Sequence, residues 1–318
     1  MYRNISLYDY YIAKACSLIW ALIRKIIGRR RFKRFSYNGQ KILNFKEGNK
    51  LIAEKLIDNK PFMISRFGDV ELRTVVYAIE IGLGIRKNFP QYVMKKMQVN
   101  AGFFPITDKN LFRFGELMID SCSHVDVFGV WYNVLEDYVI KKFAPNSKTT
   151  ILEALEPFWH SEPWSSYLKS KKVLVIHPFE ATIISQFKKR EFLFQDIRVL
   201  PEFELLTLKA VQSNAGEETC YENWFDALDE MTKKALTLDF DVAIIGCGAY
   251  GLPLAANLKK AGKQAIHLGG ATQLLFGIRG ARWDARPEMQ RFINEDWVRP
   301  SLEEKPKDAE NVEGGCYW

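Results

Sequence analysis

The chain holds little of the residue patterning that announces familiar chemistry. Its five cysteines, Cys16, Cys122, Cys220, Cys247 and Cys316, stand apart, with no CxxC pair and no Cys/His spacing suited to a metal. An odd, scattered set excludes a disulfide framework and a structural zinc site, and it fits a reducing, cytoplasmic compartment. There is no GxSxG elbow, no HExxH and no Walker A lysine motif. Hydrolase, zinc-protease and P-loop chemistries therefore have nothing to stand on. Long apolar runs are missing from the amino-terminal segment: between residues 11 and 28 the longest uncharged stretch runs only from Ala15 to Ile23. A spanning helix needs about 20 apolar residues, so this is not a transmembrane segment. The body of the chain also lacks net charge. Residues 1–34 hold nine Lys/Arg against one acid, Asp9, which accounts for more than the whole net charge of +7. A nucleic-acid-binding surface across the fold is not expected.

What is present is ordinary globular material: 318 residues, 47% hydrophobic and 26% charged, with enough aromatics for a substantial core. At the amino terminus Ile12, Cys16, Ile19, Ile23 and Ile26 recur at helical spacing, with Lys14, Ser17, Arg24 and Lys25 mostly on the other side. The dense charge of Arg29, Arg30, Arg31, Lys33 and Arg34 follows the apolar segment, the reverse of a secretory signal. Residues 1–34 read as a basic amphipathic helix. Residues 11–34 would rest either on an anionic membrane, at the inner membrane face, or on a protein body.

Residues 35–60 read as a connector and a helix near 50–58. Beyond them strand and helix patterns alternate. Strands are expected at 61–67, 125–130, 172–176, 197–200, 241–245 and 264–268, and helices at 91–99, 109–121, 149–156, 180–189, 221–238 and 251–261. Continuous apolar strands between helices predict an α/β, Rossmann-like fold: a mostly parallel sheet covered on both faces, over residues 61–285. The polar tail 286–318 is expected to be extended.

Two motifs sit where such a fold does chemistry. In Ser65-Arg66-Phe67-Gly68-Asp69-Val70-Glu71 an apolar strand ends, a glycine permits a turn, and two carboxylates follow. Beyond the carboxyl end of a parallel strand, Asp69 and Glu71 suit Mn²⁺ or Mg²⁺, with phosphates completing the shell and Arg66 beside them. The same two acids also suit a helix cap and its acidic first turn. The second motif, Gly246-Cys247-Gly248-Ala249-Tyr250-Gly251, is a G-x-G-x-x-G between a strand and a helix. Its glycines admit either a phosphate or close helix–strand packing. The following strand ends in His267-Leu268-Gly269-Gly270 with no acid for a ribose, which weakens the alternative of an NAD(P)-binding oxidoreductase. His267 could touch phosphate, act as a base or be structural, and His177 stands at the equivalent place after its own strand. Glu202 and Glu204 follow the expected strand at 197–200, where either could serve as a base. Trp164 and Tyr167 suit either stacking on a sugar or the core.

Taken together, ISRFGDVEL and VAIIGCGAYGLPLAANLKKAGKQAIHLGGATQLLFGIRGARW resemble the GT-D-type glycosyltransferase family over roughly residues 50–285. The resemblance implies a Rossmann-like domain, a DxE metal motif and a nucleotide-sugar donor, commonly UDP-linked. By position the DxE motif is Asp69-Val70-Glu71, with Val70 where the family often has glycine. The donor side takes Gly269 and Gly270 of the HLGG segment, together with Arg66 and Gly246, Gly248 and Gly251. His267 and Glu204 are the candidate catalytic groups, Mn²⁺ or Mg²⁺ the cofactor, and a saccharide or lipid-linked saccharide the acceptor. A non-catalytic nucleotide-sugar-binding protein of the same fold is the other alternative.

Overall fold

A computed structural model describes residues 5–28, 31–37 and 39–318. Arg29 and Arg30 of the basic run lie outside the described residues. The first helix, α1 (Leu7–Ile27), starts where Ser6 Oγ accepts the Asp9 amide at 3.3 Å and stops at Gly28, whose φ is 90°. There follow β1 (Ser36–Tyr37), β2 (Gln40–Leu43), α2 (Phe45–Ile57), β3 (Phe62–Arg66), α3 (Asp69–Gly82), α4 (Gln91–Val99) and α5 (Asp108–Cys122). Next come β4 (Val127–Val130), α6 (Glu136–Phe143), β5 (Lys148–Ile151), β6 (Lys172–His177), α7 (Glu180–Phe187), α8 (Arg190–Leu193) and β7 (Glu204–Lys209). The last elements are α9 (Trp224–Leu236), β8 (Val242–Ile245), α10 (Gly251–Lys260), β9 (Gln264–His267), α11 (Ala271–Leu275) and α12 (Ala281–Asp284).

The strands form one nine-stranded sheet in the order β1-β2-β5-β4-β3-β9-β8-β6-β7. Every pairing is parallel except β1 with β2. This is the α/β, Rossmann-like arrangement expected from the alternating pattern. The apolar strands explain it: β8 and β9 are buried at every position, and successive side chains point to opposite faces. Phe62 and Ile64 enter a core with α2, α11 and the carboxyl-terminal segment, while Met63 enters a second core with α3, α5, α9 and α10.

Four expectations need correction. The stretch at 149–156 is helical only as a 3-10 turn at Leu152–Leu155: before it, Thr149 and Thr150, β-branched and buried, complete β5 against β2 and β4. Residues 197–200 turn instead of extending, and the strand comes later, at Glu204–Lys209. Residues 35–60 are more than a connector, because β2 pairs with β5 and extends the sheet. The tail is packed, not loose. Met289, Trp297, Ala309 and Val312 are buried. The buried Glu304 carboxylate accepts the Ala181 amide at 2.7 Å and the Thr182 amide at 3.3 Å, so a tail acid satisfies the amino end of α7. Polarity along the sequence hid these few anchors.

Candidate active site

One cleft of about 490 Å³ opens at the carboxyl edge of the sheet, within the range of about 300–1,000 Å³ typical of small-molecule sites. The segments leaving β3, β4, β6, β8 and β9 all contribute to its wall, through Asp69, Trp131, Pro178, Gly246 and Gly269 respectively. Open parallel sheets bind ligands at this edge. Five arginines, Arg24, Arg66, Arg73, Arg282 and Arg286, face three carboxylates, Asp69, Glu71 and Glu313. The balance favours an anionic ligand.

The two acids of the first motif do not cap their helix. Gly68 is the cap residue of α3, and Asp69 and Glu71 occupy its first turn, where the helix dipole favours negative charge. Asp69 is half exposed and pairs with Arg73 at 2.9 Å. Glu71 folds back over Gly68 so closely that a Cβ there would lie 1.9 Å from Glu71 Oε2. Burial raises the Glu71 pKa, the carboxylates of Asp69 and Glu313 add to the rise, and Arg66 opposes it. Both acids border the cleft. Among the described residues no group of three or more His, Cys, Asp and Glu side chains is placed to hold a metal. Two carboxylates still fit Mg²⁺ or Mn²⁺, which bind through one or two acids plus substrate phosphates and water.

Arg66 leaves the end of β3 with its guanidinium 4.9 Å from the centre of the Trp131 ring and Nη1 donating to the Phe67 carbonyl. Gly269 makes room for it: its φ is +65°, and a Cβ there would stand 2.7 Å from Arg66 Nη2. Arg66 Nε, Trp131 Nε1 and Asn133 Nδ2 are buried at the cleft without a hydrogen-bond partner. Each unmet buried donor costs on the order of 1–3 kcal/mol, which a ligand rich in oxygen would offset.

The glycine fingerprint divides into two roles. Gly246 and Gly248 border the cleft, as do Gly269 and Gly270. Gly248 has a φ of +57° with open space where a side chain would go. Gly251 does not reach the cleft. A Cβ there would lie 2.2 Å from His267 Nε2, so this glycine exists for packing, and its expected cofactor contact is corrected. His267 is corrected too. It lines the cleft, but Nδ1 lies 2.9 Å from Ser65 Oγ and Nε2 faces Gly251. Burial, reinforced by the Arg66 charge, holds its pKa well below the usual histidine range. Such a ring is a poor base. His177 is also in the cleft wall, buried, with Nδ1 accepting the Phe179 amide at 3.0 Å and its pKa pushed down to about 3 by burial. Its Nε2 is therefore left as an N–H donor.

Glu204 is corrected outright. It pairs with Lys172 at the amino end of β7, whereas His177 at the cleft pairs with Lys209. Five residues of strand separate them, roughly 16 Å at about 3.3 Å per residue. Glu202 is exposed and near Arg190. Trp164 is fully buried, its Nε1 donating to the Leu155 carbonyl, and Tyr167 stands outside the cleft.

The sequence reading missed Trp131 and Asn133 after β4, Arg24 on α1, and Arg282, Glu313, Tyr317 and Trp318 near the carboxyl end. Only the strand end at 125–130 pointed towards any of them. The 131–133 turn is held by Glu136, whose Oε2 accepts the Trp131 amide at 3.0 Å, the Asn133 amide at 3.2 Å and the Tyr37 hydroxyl at 2.9 Å. Burial pushes the Glu136 pKa up from 4.5 to about 7 against these hydrogen bonds. Between those values the folded protein keeps a proton that the unfolded chain has released. This group's contribution to stability therefore falls as pH rises from 4.5 to 7 and stays low above. Glu136→Gln removes that dependence and keeps one accepting oxygen, so its melting temperature relative to wild type should improve between pH 5 and pH 8. A difference that is the same at both pH values contradicts the assignment.

Among solved structures, two show a likeness to this chain. One, of domain of unknown function 1792, shares 14% identity and gives a TM-score of 0.43 over 73% of this chain and 79% of that chain. The other, described as showing that this highly conserved domain has a distinct glycosyltransferase fold, shares 15% identity and gives a TM-score of 0.41 over 72% and 78%. No family model and no curated protein matches the chain.

Proposed function

We propose that this protein is a metal-assisted glycosyltransferase. It moves a sugar from a nucleoside-diphosphate sugar, UDP-linked, to a saccharide or lipid-linked saccharide acceptor in surface polysaccharide or glycoconjugate assembly. The observation that carries this reading is the cleft itself: three unmet donors, Arg66 Nε, Trp131 Nε1 and Asn133 Nδ2, share it with Asp69 and Glu71 where parallel strands end. An oxygen-rich anion with a divalent cation would satisfy both signs of charge. The GT-D resemblance of the two motifs points the same way.

Asp69 and Glu71 would hold Mn²⁺ or Mg²⁺, which when bound supplies Lewis-acid neutralisation of a departing diphosphate. The chain does the rest. Arg66, held between the Trp131 face and the space left by Gly269, would offer its guanidinium charge to a phosphate. His177 adds a neutral donor, and the glycine turn after β8 lets backbone come close. These donors are aimed before the ligand arrives, which is what favours charge developing on the leaving group.

A thermal-shift panel tests the reading. UDP-sugar with Mn²⁺ should raise the melting temperature, and NAD(P)H should leave it unchanged. Stabilisation by NAD(P)H alone would replace the transferase with the oxidoreductase. Stabilisation by UDP-sugar without any donor turnover would leave a non-catalytic binding protein.

A further inference from the structure

Helix α1 is docked inside out. The face it turns towards the body is its polar one. Tyr10 donates to the buried Glu80 carboxylate at 2.7 Å, and Lys14 forms an ion pair with the same group. Ser17 Oγ accepts the Leu135 amide at 2.7 Å, and Arg24 donates to the Tyr132 carbonyl at 3.1 Å. Residues 10, 14, 17 and 24 share one helical face, and their buried contacts fix which side points outwards. The outward side carries Ile12, Ile19, Leu22 and Ile26, with Ile19 58% and Ile26 76% exposed. Among the described residues, half of all exposed large apolar side chains lie on this single helix. Of the two sequence expectations for this amphipathic helix, the contact with protein is made by its charged side, and the apolar side is uncovered.

The flanks say what covers it. At the carboxyl end of α1, Lys25, Arg31 and Lys33 are exposed, and Phe35 beside them is 83% exposed. The one acid of the helix, Asp9, sits at its other end. A second copy of this face would bring cations together without matching acids, whereas an anionic lipid surface supplies both apolar depth and negative charge. No helix among the described residues is long and apolar enough to cross a membrane.

We propose that α1 and residues 31–35 lie flat on an anionic lipid surface, the outer apolar face among the acyl chains and the basic flank among the headgroups. Because Arg24, on the docked side, is also part of the cleft wall, one helix width of about 10 Å separates that lipid surface from the cleft. Resting on the transferase reading, this makes a lipid-linked saccharide the fitting acceptor.

Co-sedimentation of the full chain with phosphatidylcholine vesicles, with and without about 30% phosphatidylglycerol, tests the proposal. Wild type should bind the anionic vesicles and bind them more tightly than the neutral ones. Ile19→Asp and Ile26→Asp should each weaken binding about tenfold or more while leaving the melting temperature unchanged, and Leu302→Asp, an exposed apolar site elsewhere, should bind as wild type does. Wild type that ignores both vesicles, or a dimer that Ile19→Asp converts to monomer without any vesicle binding, overturns it. If vesicles bind but the UDP-sugar panel is silent, the membrane helix stands and the transferase reading fails.

Discussion

Asp69→Asn and Glu71→Gln should each lower Mn²⁺-dependent donor turnover by roughly 10²–10³-fold, the loss expected when a group that stabilises leaving-group charge is removed. Both changes keep the side-chain shape and delete only the charge, so neither should unfold the protein. Asp69→Asn also gives up the pair with Arg73, which is half exposed and worth at most about 1 kcal/mol. Glu71→Gln still folds over Gly68 and relieves a carboxylate whose pKa burial has raised. Turnover assays with calorimetric Mn²⁺ titration separate lost metal from lost structure. Wild-type turnover by both variants would show that the acids do nothing beyond populating the first turn of α3.

The second large effect is on stability. In Gly251→Ala the new methyl would stand 2.2 Å from Nε2 and 2.4 Å from Cδ2 of His267. That ring is buried and bonded to Ser65, so it has nowhere to go. Overpacking of this kind costs about 1–3 kcal/mol or more, and a thermal melt should fall by several degrees. Donor affinity of the folded variant should survive, since Gly251 does not reach the cleft. Gly248→Ala should behave in the opposite way. Its methyl meets open space, the cost is backbone strain at a φ of +57°, and the change falls in the cleft wall. A Gly251→Ala protein that melts like wild type would remove the packing account of the fingerprint.

The parallel sheet was legible because its central strands are continuous apolar runs: 61–67, 172–176, 241–245 and 264–268 all match observed strands to within a residue at each end. The edges were less so. The β5 run Lys148-Thr149-Thr150-Ile151 has no apolar run to mark it, and β7 was placed several residues early, which put Glu204 at the wrong end of its strand. Arg66, Asp69, Gly246 and Gly269 were found because they lie at or just beyond the ends of strands. Arg24, Glu313, Tyr317 and Trp318 follow none, and they join the cleft through tertiary packing that periodicity does not encode. His267 misled for a different reason: its position after β9 was right, but both ring nitrogens are turned towards the protein.

The wall that joins Arg24 to Tyr317 also constrains how the molecule assembles. These two lining residues are about 290 apart along the chain, so a cleft that needs both is complete only after very long loops have closed. The central sheet can gather before either partner is in place, whereas the cleft cannot. Ligand capture should therefore be among the slowest events to recover during refolding, trailing the return of secondary structure.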